Sequence, residues 1–390
     1  MPMRILILGG TGAMGKALAR LLADRGDEVA LTSRQKHRSK RKNVAFLEGN
    51  AMDPGFLKTI LTGEWDAIVD FMNYSPSDFS GSADYASYSA GTPDSGSDTN
   101  GSLHAPRFKA LLEATSHYVF LSSARVYAPA PDGSALTEES PRLLDSCPDK
   151  DYLATDEYAL AKAREEDALF GSDRKNFTVI RPSLTYSEDR LQFALYEKEE
   201  WLYRAMLGRS LILPYDMRDV KTAMTAASDV AKGIAGLIGN EAAFGERFNI
   251  ACPKSQSWGE IFEIYSRVLE EEGIHPRVIY GYDSERIARE LGCVYEMKYA
   301  RAVDRRFSSE KLLDVIGKLD FTDPAEGLAQ ALRSFLERGA RFRPINARIH
   351  SYLDRLTHEY TSLGTFDDNS ERAKYLIGRY TPYFALKGLQ

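Results

Sequence analysis

Short runs of β-branched and aliphatic residues alternate with longer stretches of mixed polarity through the first half of the chain. Six such runs are flanked by turn residues: Arg4 to Leu8, Glu28 to Thr32, Val44 to Leu47, Ala67 to Phe71, Tyr118 to Ser122 and Phe177 to Arg181. Runs of this kind are typical of parallel strands buried on both faces. Between the first two, Ala13 to Asp24 carries hydrophobic residues at helical spacing and precedes Gly26, a residue type that often ends helices. The pattern predicts repeated β-α-β units, and hence an α/β fold with a doubly wound parallel sheet.

The alternation loosens from about residue 187. Phe193 to Leu207 and Trp258 to Glu272 have helical patterns, whereas Phe248 to Ala251 and Arg277 to Tyr280 are strand candidates. We therefore predict three parts along the chain: a sheet domain over 1–185, a smaller ligand-covering lobe over 186–340 that is partly interleaved with the sheet, and a helical extension over 341–390.

Residues 75–102 differ in composition from the rest of the chain. This segment is rich in Ser, Gly, Ala and Asp and contains no Lys or Arg. A segment so poor in aliphatic residues has little apolar surface to offset the entropy of ordering, so the simple interpretation is a flexible insertion. Because it follows the fourth strand at its carboxyl end, an active-site lid is the alternative.

Composition excludes several classes of protein. The 390 residues carry a net charge of −6 with 43% hydrophobic residues, which is typical of a soluble globular chain and unlike a nucleic-acid-binding protein. No apolar run approaches the length of a membrane span, and the N-terminus does not resemble a signal peptide, so we expect a cytoplasmic location and no membrane partner. The three cysteines and the scattered histidines have no metal-like spacing, so no metal site is predicted.

A glycine-rich turn follows the first strand directly. Glycines at positions 9, 12 and 15 permit a tight turn, a close approach of the backbone to a diphosphate, and close packing of helix on strand. The free N–H groups at the start of the next helix favour an anion. The turn therefore predicts dinucleotide binding on a Rossmann-type sheet, through Gly9, Thr11, Gly12, Ala13, Met14 and Gly15.

The residues after the second strand bear on the choice of dinucleotide. An acidic residue there usually binds the ribose 2′-hydroxyl of NAD, whereas an arginine accommodates the 2′-phosphate of NADP. Here Ser33 and Arg34 open a strongly basic loop without a carboxylate. We therefore expect NADP as cofactor, with NAD as the alternative; a merely solvated basic loop is the simpler interpretation.

Tyr158 and Lys162 lie four residues apart in a stretch of strong helix formers, so they share one helix face. A neighbouring cation favours the phenolate form of a tyrosine, which would let it exchange a proton with a hydroxyl or carbonyl near neutral pH. Such a pair also arises by chance on helix surfaces. The hydroxyls of Ser122 and Ser123, at the carboxyl end of the fifth predicted strand, would lie on the same edge of the sheet.

Together these motifs resemble the extended short-chain dehydrogenase/reductase family, particularly its nucleotide-sugar epimerases, reductases and dehydratases. The resemblance covers roughly residues 3–250. It rests on the glycine turn, the Ser-Ser-x-x-Val-Tyr segment ending at Tyr127, the Tyr-x-x-x-Lys pair and an Arg-Pro-x-x-x-Tyr segment ending at Tyr186.

The resemblance implies specific roles for matching positions. Tyr158 would be the catalytic acid/base, Lys162 would bind the nicotinamide ribose and lower the tyrosine pKa, and Ser123 would hydrogen-bond the reacting oxygen. Seven further positions would contact the cofactor: Asn50, Ala51, Phe71, Met72, Asn73 and the pair Pro182 and Ser183 beside the nicotinamide. Asn50 stands where the family usually has Asp.

The chain also departs from the family pattern. Dehydratases of the family typically carry Asp-Glu where this chain has Ala124 and Arg125, which argues against sugar dehydration. Arg125 closely follows Ser123 and is a candidate substrate-binding residue; a salt bridge that closes the strand end is the alternative. Arg218 is a candidate diphosphate ligand, although the segment after it is displaced from the family pattern. The insertion at 75–102 interrupts a region often used for dimer contacts, so a homodimer is left open.

We therefore expect an NAD(P)-dependent epimerase or reductase that acts on a hydroxyl or ketone of a nucleotide-activated sugar. Two alternatives stay open: a ketone or enone reductase for a non-sugar metabolite, and a non-catalytic NAD(P)-binding regulatory protein. The charged run from Glu197 to Trp201 is expected to be a solvated helix face.

Overall fold

A computed structural model describes residues 2–74 and 107–381. Residues 75–106 and 382–390 lie outside the described residues, so the predicted insertion at 75–102 and the end of the predicted extension receive no structural account.

A seven-stranded parallel sheet forms the centre of the chain, in the order β11-β6-β5-β4-β1-β2-β3. Its strands are β1 (Arg4–Leu8), β2 (Glu28–Ser33), β3 (Val44–Glu48), β4 (Trp65–Asp70), β5 (Thr115–Leu121), β6 (Phe177–Pro182) and β11 (Glu246–Ile250). The six strands predicted from the first half of the chain are all present and parallel, which confirms the doubly wound α/β fold.

Helices cover both faces of this sheet. They are α1 (Ala13–Arg25), α2 (Pro54–Ile60), α3 (107–113), α4 (Leu143–Ser146), α5 (Lys150–Leu153), α6 (Tyr158–Phe170) and α8 (Ala227–Leu237). One face packs α1 and α8 against Ile5, Val69 and Ile180, and the other buries Leu6, Ile68 and Phe120. Because the strands are apolar on both faces, the sheet is the common core of these two layers.

The smaller lobe contains three two-stranded ribbons and a separate hydrophobic core. The ribbons pair β7 (Leu184–Tyr186) with β10 (Met224–Ala226), β8 (Ser210–Leu213) with β13 (Arg277–Tyr280), and β9 (Lys221–Thr222) with β12 (Gln256–Ser257). Its helices are α7 (Trp201–Met206), α9 (Trp258–Glu271), α10 (Ser284–Leu291), α11 (Val294–Glu296, continued as a π-helix over Met297–Arg301) and α13 (Pro324–Glu337). The helix before α13, α12 (Glu310–Ile316), instead packs on α8 and β11 and joins the sheet core. Trp201 and Tyr265 stack at 4.6 Å in its core.

The predicted helix from Phe193 to Leu207 is wrong over most of its length. Only Trp201–Met206 is helical, and Phe193 instead forms an isolated bridge with Tyr196 around Ala194, whose φ is +52°. Phe193 and Tyr196 are fully buried in the lobe core. The chain makes a tight turn here because a continuous helix would not bring both side chains into that core. Tertiary packing here overrides a local helical pattern.

The final helices, α14 (Ala347–Thr357) and α15 (Asn369–Tyr380), pack on the smaller lobe. Asp354 on α14 forms a 2.5 Å ion pair with Arg204, and both side chains are fully buried. Glu359 accepts hydrogen bonds from the N–H and hydroxyl of Ser210. The extension is therefore tied into the lobe by buried polar contacts. None of the described helices combines the length and apolar character that crossing a bilayer requires.

Candidate active site

The glycine-rich turn connects β1 to α1 and needs glycine for two different reasons. Gly9 has a φ of +68°, in the left-handed region that glycine adopts without strain. A Cβ on Gly15 would lie 2.5 Å from the carbonyl oxygen of Gly10, so only glycine lets α1 pack this closely on the turn. At Gly12 a Cβ would meet no atom within 4 Å, so the backbone there is open to the adjacent cleft. This turn fits a diphosphate, because the first N–H groups of a helix lack intrahelical acceptors and α1 has no acidic residue in its first turn.

The adenosine end is expected at the carboxyl ends of β2 and β3. Ser33 is mostly buried, and its hydroxyl accepts the N–H of Gln35 at 3.1 Å. Arg34 is exposed. The side-chain oxygen of Asn50 accepts the N–H of Met52, and Ala51 is buried beneath the surface. The predicted contacts are therefore brought to one edge of the sheet.

The residues after β4 lie at the same edge of the sheet, next to the glycine turn that follows β1. Asp70 is fully buried and holds the turn by accepting the N–H of Met72 at 2.9 Å and the hydroxyl of Tyr74 at 2.5 Å. Phe71 and Asn73 line the cleft, whereas the Met72 sulfur packs under Gly9. The backbone here is thus fixed from below by a carboxylate that the sequence did not single out.

Tyr158 is the first residue of α6. The preceding Glu157 caps the helix by accepting the N–H of Ala159 at 2.8 Å. Tyr158 is 36% exposed and lines the cleft, whereas Lys162, one turn later, is 1% exposed. The helix therefore presents the phenol to the cleft and places the ammonium beneath it.

Lys162 makes an ion pair inside the protein. Its Nζ lies 2.9 Å from Oε2 of Glu165 and 3.3 Å from the carbonyl oxygen of Met72, and it sits 4.7 Å from the Phe120 ring centroid. Burial lowers the pKa of Lys162, but Glu165 and Tyr158 outweigh this effect, and the pKa is raised above its usual value. Burial raises the pKa of Glu165. Glu165 was not anticipated from the sequence.

The two serines at the end of β5 have different surroundings. Ser122 is 1% exposed and donates its hydroxyl to Oε1 of Glu166 at 2.5 Å. Ser123 accepts the N–H of Arg125 at 3.2 Å, where the chain enters a 3₁₀ turn, and its side chain faces the cleft. Ser122 is thus committed to a buried contact, while Ser123 stands beside Tyr158.

A buried ion pair supports this serine turn from below. Both Nε and Nη2 of Arg181 donate to the carboxylate of Glu166, at 2.8 and 2.5 Å. Nη1 of Arg181 donates to the hydroxyl of Tyr127, which in turn donates to Asn249 on β11. The network connects α6, β5, β6 and β11, so α6 and the serine turn are held in one frame.

The cleft beside Tyr158 has a volume of about 770 Å³ and lies between the sheet edge and the smaller lobe. Of the predicted site residues, those that line it are Gly9, Thr11, Gly12, Ala13, Met14, Gly15, Phe71, Asn73, Ser123, Arg125, Tyr158, Pro182 and Ser183. Ser33, Arg34, Asn50 and Ala51 lie at the carboxyl ends of β2 and β3, outside the cleft lining, and Met72 and Lys162 are not part of the lining either. Among the described residues, no cluster of His, Cys, Asp and Glu could hold a metal ion.

The two arginine candidates are in different places. Arg125 lies over the Tyr158 ring, with its guanidinium carbon 5.2 Å from the ring centroid, and pairs with Glu157. Arg218 is exposed in the smaller lobe, where its guanidinium stacks on Tyr280, and it is not part of the cleft lining.

Sequence reasoning missed the charged residues that the smaller lobe contributes to the cleft. They are Arg190, Lys198, Glu199, Glu296, Arg301, Arg305 and Arg343. The expectation that the run from Glu197 to Trp201 is a solvated face is wrong, because Lys198 and Glu199 are 5% and 7% exposed and pair with each other at 2.6 Å. The tryptophan in that charged run was the one available signal for burial.

Comparison with known proteins agrees with this geometry. Over 271 residues the chain is 27% identical to chloroplast stem-loop binding protein of 41 kDa b from Arabidopsis thaliana, a match that covers 64% of this chain and 59% of that relative. The structure is similar to WbmH of Bordetella bronchiseptica in complex with NAD⁺, with a TM-score of 0.62 at 16% identity over 87% of this chain and all of the other. It is also similar to WbmG of that organism in complex with NAD and UDP, with a TM-score of 0.60 at 18% identity over 87% and 96% of the two chains.

A family model covers the sheet domain together with the first part of the smaller lobe. Residues 5–251 match the NAD dependent epimerase/dehydratase family, which spans the glycine turn, Ser123, Tyr158 and the last strand of the sheet. The chain therefore belongs to the NAD dependent epimerase/dehydratase family.

Proposed function

We propose that the chain is an NAD(P)-dependent epimerase or reductase acting on a hydroxyl or ketone of a nucleotide-activated sugar. The observation that carries the proposal is the placement of Tyr158 and Ser123 side by side in one cleft, with Lys162 buried beneath and the glycine turn at the same sheet edge. Geometry of this kind suits hydride transfer coupled to proton transfer at a single carbon–oxygen bond.

In the oxidative direction, Tyr158 takes the proton of the sugar hydroxyl and Ser123 hydrogen-bonds the same oxygen. A bound nicotinamide supplies the hydride acceptor and, in the return step, the donor. Lys162 supplies a fixed positive charge that favours the phenolate of Tyr158. In the reductive direction the phenol returns its proton to the oxygen, so Tyr158 ends each epimerisation cycle as it began; in net reduction the phenolate regains its proton from solvent.

The charge and size of the cleft support a nucleotide sugar as substrate. Seven basic and four acidic residues line it, which suits an anionic diphosphate, and about 770 Å³ accommodates a ligand larger than a simple ketone. The structurally similar WbmG carries UDP together with NAD. Arg190, Lys198 and Arg343 on the lobe side are the candidates for contacts with the diphosphate.

The serine turn favours epimerisation or reduction over dehydration. Elimination of water needs an additional acid and base beside the sugar ring, and Ala124 and Arg125 hold the two positions after Ser123. Neither side chain supplies a titratable group near neutral pH.

We propose NADP as the preferred dinucleotide, with NAD as the alternative. Ten residues after β2, from Arg34 to Asn43, include no carboxylate, and Arg34 is exposed where a 2′-phosphate would lie. Arg34→Ala should weaken NADPH binding by about tenfold and leave NADH binding unchanged, as measured by nicotinamide fluorescence. An unchanged ratio of the two affinities would remove Arg34 from this role.

The name of the Arabidopsis relative points to a different ligand class, a nucleic-acid stem-loop. We favour the small-molecule substrate, because the cleft holds the whole Tyr158, Ser123 and Lys162 group and the chain carries a net charge of −6. Stem-loop RNA binding that survives Tyr158→Phe and is undiminished by NADPH would instead support a binding protein.

Tyr158→Phe is the direct test of the proposal. The variant should bind NADPH as the wild type does but lose turnover by about 10²–10⁴-fold, because the proton acceptor is removed and the ring remains. Turnover is measured with nucleotide hexoses and their 4-keto derivatives, following the nicotinamide absorbance and the epimer composition. Retained activity would overturn the assignment of Tyr158, and no product with the wild type would favour the non-catalytic alternative. Activity with non-sugar ketones alone would favour the alternative of a ketone or enone reductase for a non-sugar metabolite.

A further inference from the structure

Three arginines converge on the end of the cleft where the reaction is proposed to occur. Arg125 lies over the Tyr158 ring, Arg301 lines the cleft from the π-helix, and Arg305 reaches in from the following segment. Nη2 of Arg305 donates to the carbonyl oxygen of Ala124 at 3.1 Å, directly after Ser123. The three guanidiniums therefore surround the Ser123 and Tyr158 side of the cleft.

Two carboxylates partly balance these charges. Glu157 pairs with Arg125, and Glu296 pairs with Arg301 at 2.8 Å and with Arg125 at 3.7 Å. Burial raises the pKa of Glu296, but Arg301 and Arg125 outweigh it and hold that pKa below its usual value, so the carboxylate is charged. One positive charge of the group is left without a carboxylate.

Arg305 is the cation without an acidic partner among the described residues. It is 4% exposed, and its Nη1 donates to the carbonyl oxygen of Tyr127 at 3.0 Å. Backbone carbonyls satisfy its N–H groups but do not neutralise its charge. Burial and the neighbouring Arg125 lower the pKa of Arg305 to about 10, which leaves it charged at neutral pH. A buried unpaired cation is costly, and an anionic ligand in the cleft would remove that cost.

We propose that the sugar carries a carboxylate next to the reacting carbon, so that the substrate is a nucleotide-linked hexuronate rather than a neutral hexose. This inference rests on the proposed function and adds the chemical class of the sugar. The carboxylate would lie among Arg125, Arg301 and Arg305, close to Ser123, and the diphosphate would lie toward Lys198 and Arg343 on the lobe side. The planar, multidentate guanidinium is the side chain best suited to a carboxylate.

The test compares matched pairs of substrates with the enzyme carrying its dinucleotide. UDP-glucose is compared with UDP-glucuronate, and GDP-mannose with GDP-mannuronate, by kcat/KM and by Kd. In whichever pair the enzyme accepts, kcat/KM should be about tenfold or more higher for the hexuronate than for the neutral hexose, with a lower Kd. Equal or better use of the neutral hexose would overturn the inference and leave the proposed function standing. No turnover or binding of any of the four would overturn both.

Three substitutions separate a carboxylate site from a structural cluster. Arg305→Met and Arg301→Met each remove one positive charge from this group and should abolish the preference for the hexuronate. Arg301→Met serves as the second variant if Arg305→Met fails to fold. Glu296→Gln removes one negative charge from the same group and should strengthen the preference for the hexuronate. The matched control, Arg343→Met, should weaken both members of a pair equally. If the preference shifts in the same direction in the arginine and glutamate variants, the carboxylate site is excluded.

Discussion

Lys162 and Glu165 form a 2.9 Å ion pair in which neither side chain is more than 2% exposed. The pair lies one turn below the phenol of Tyr158, on the same helix. Its other charged neighbours are Asp70 on β4 and Glu166, the next residue of the same helix. Because burial alone would lower the pKa of Lys162, the carboxylate of Glu165 keeps this buried ammonium charged.

We expect Glu165→Gln to move the acidic limb of the pH–rate profile to higher pH by about 0.5–1 unit. Without the carboxylate, burial lowers the pKa of Lys162, less cation is present, and the phenolate of Tyr158 loses its stabilisation. The measurement is kcat/KM in the oxidative direction as a function of pH. Asp167→Asn, at an exposed position of the same helix, should leave the profile unchanged. A shift of the acidic limb to lower pH would contradict this prediction. It would mean that Lys162 stays charged without Glu165 and that the Glu165 carboxylate opposes the effect of Lys162 on Tyr158.

Gly12→Ala and Gly15→Ala should separate binding from folding. A Cβ at Gly12 meets no protein atom, so this variant should keep its unfolding free energy within about 0.5 kcal/mol, while dinucleotide affinity falls by about tenfold or more. At Gly15 the Cβ meets the backbone of Gly10, so stability should also fall, by about 1–3 kcal/mol. Urea unfolding and fluorescence titration give the two quantities. Normal affinity in Gly12→Ala would place the diphosphate elsewhere.

The buried pair of Arg181 and Glu166 should be the most sensitive site for stability. Glu166→Gln leaves the guanidinium enclosed without a counter-charge and should lower the unfolding free energy by about 3–5 kcal/mol. The double variant with Arg181→Met should recover part of that loss, because no unpaired charge remains. Denaturant titration of the four members of this cycle checks the prediction, and simple additivity of the two losses would contradict it.

His117 should make the fold acid-sensitive. Its Nδ1 accepts the N–H of Gly239 at 3.0 Å, so the ring is neutral with the proton on Nε2, next to Thr178. Burial lowers the pKa of His117 to about 4, below the unfolded value of about 6.5. The unfolded chain binds the proton first, so this contribution is complete above about pH 6.5 and is lost as the pH falls toward 4, by up to about 3 kcal/mol.

Urea unfolding between pH 7.5 and pH 4.5 measures this loss, with His117→Gln as the comparison. The variant should show a shallower decline with acid than the wild type. Identical pH slopes would assign the decline to other groups, of which buried His350 is the first candidate because burial also lowers its pKa, to about 3.

The sheet and the glycine turn could be predicted because local pattern and tertiary position agree there. Arg4 to Leu8 is apolar because both faces of β1 are covered, and the glycines that follow match a turn needing a positive φ and a close approach. Tyr158 and Lys162 were found by their spacing, since one helix carries both.

The lobe side of the cleft was not predictable in the same way. Lys198 and Glu199 read as solvent-facing because each is charged, yet Glu199 accepts the N–H of Arg343 from 144 residues away and Lys198 lies over the Phe335 ring. Glu165 was likewise invisible, since nothing in its neighbours along the chain indicates a fully buried position. Contacts between distant segments decide these environments, and a local pattern carries no information about them.

The last strand of the sheet also sets an order of events during synthesis. β6 ends at Pro182, but its outer neighbour β11 begins only at Glu246, after the ribbon of β7 and β10. At about 5–20 residues per second, the ribosome needs roughly 3–13 seconds to deliver that neighbour. During this interval the edge of β6 is an open template for other chains, so nascent protein is most exposed to misassociation while the residues between the two strands are being made.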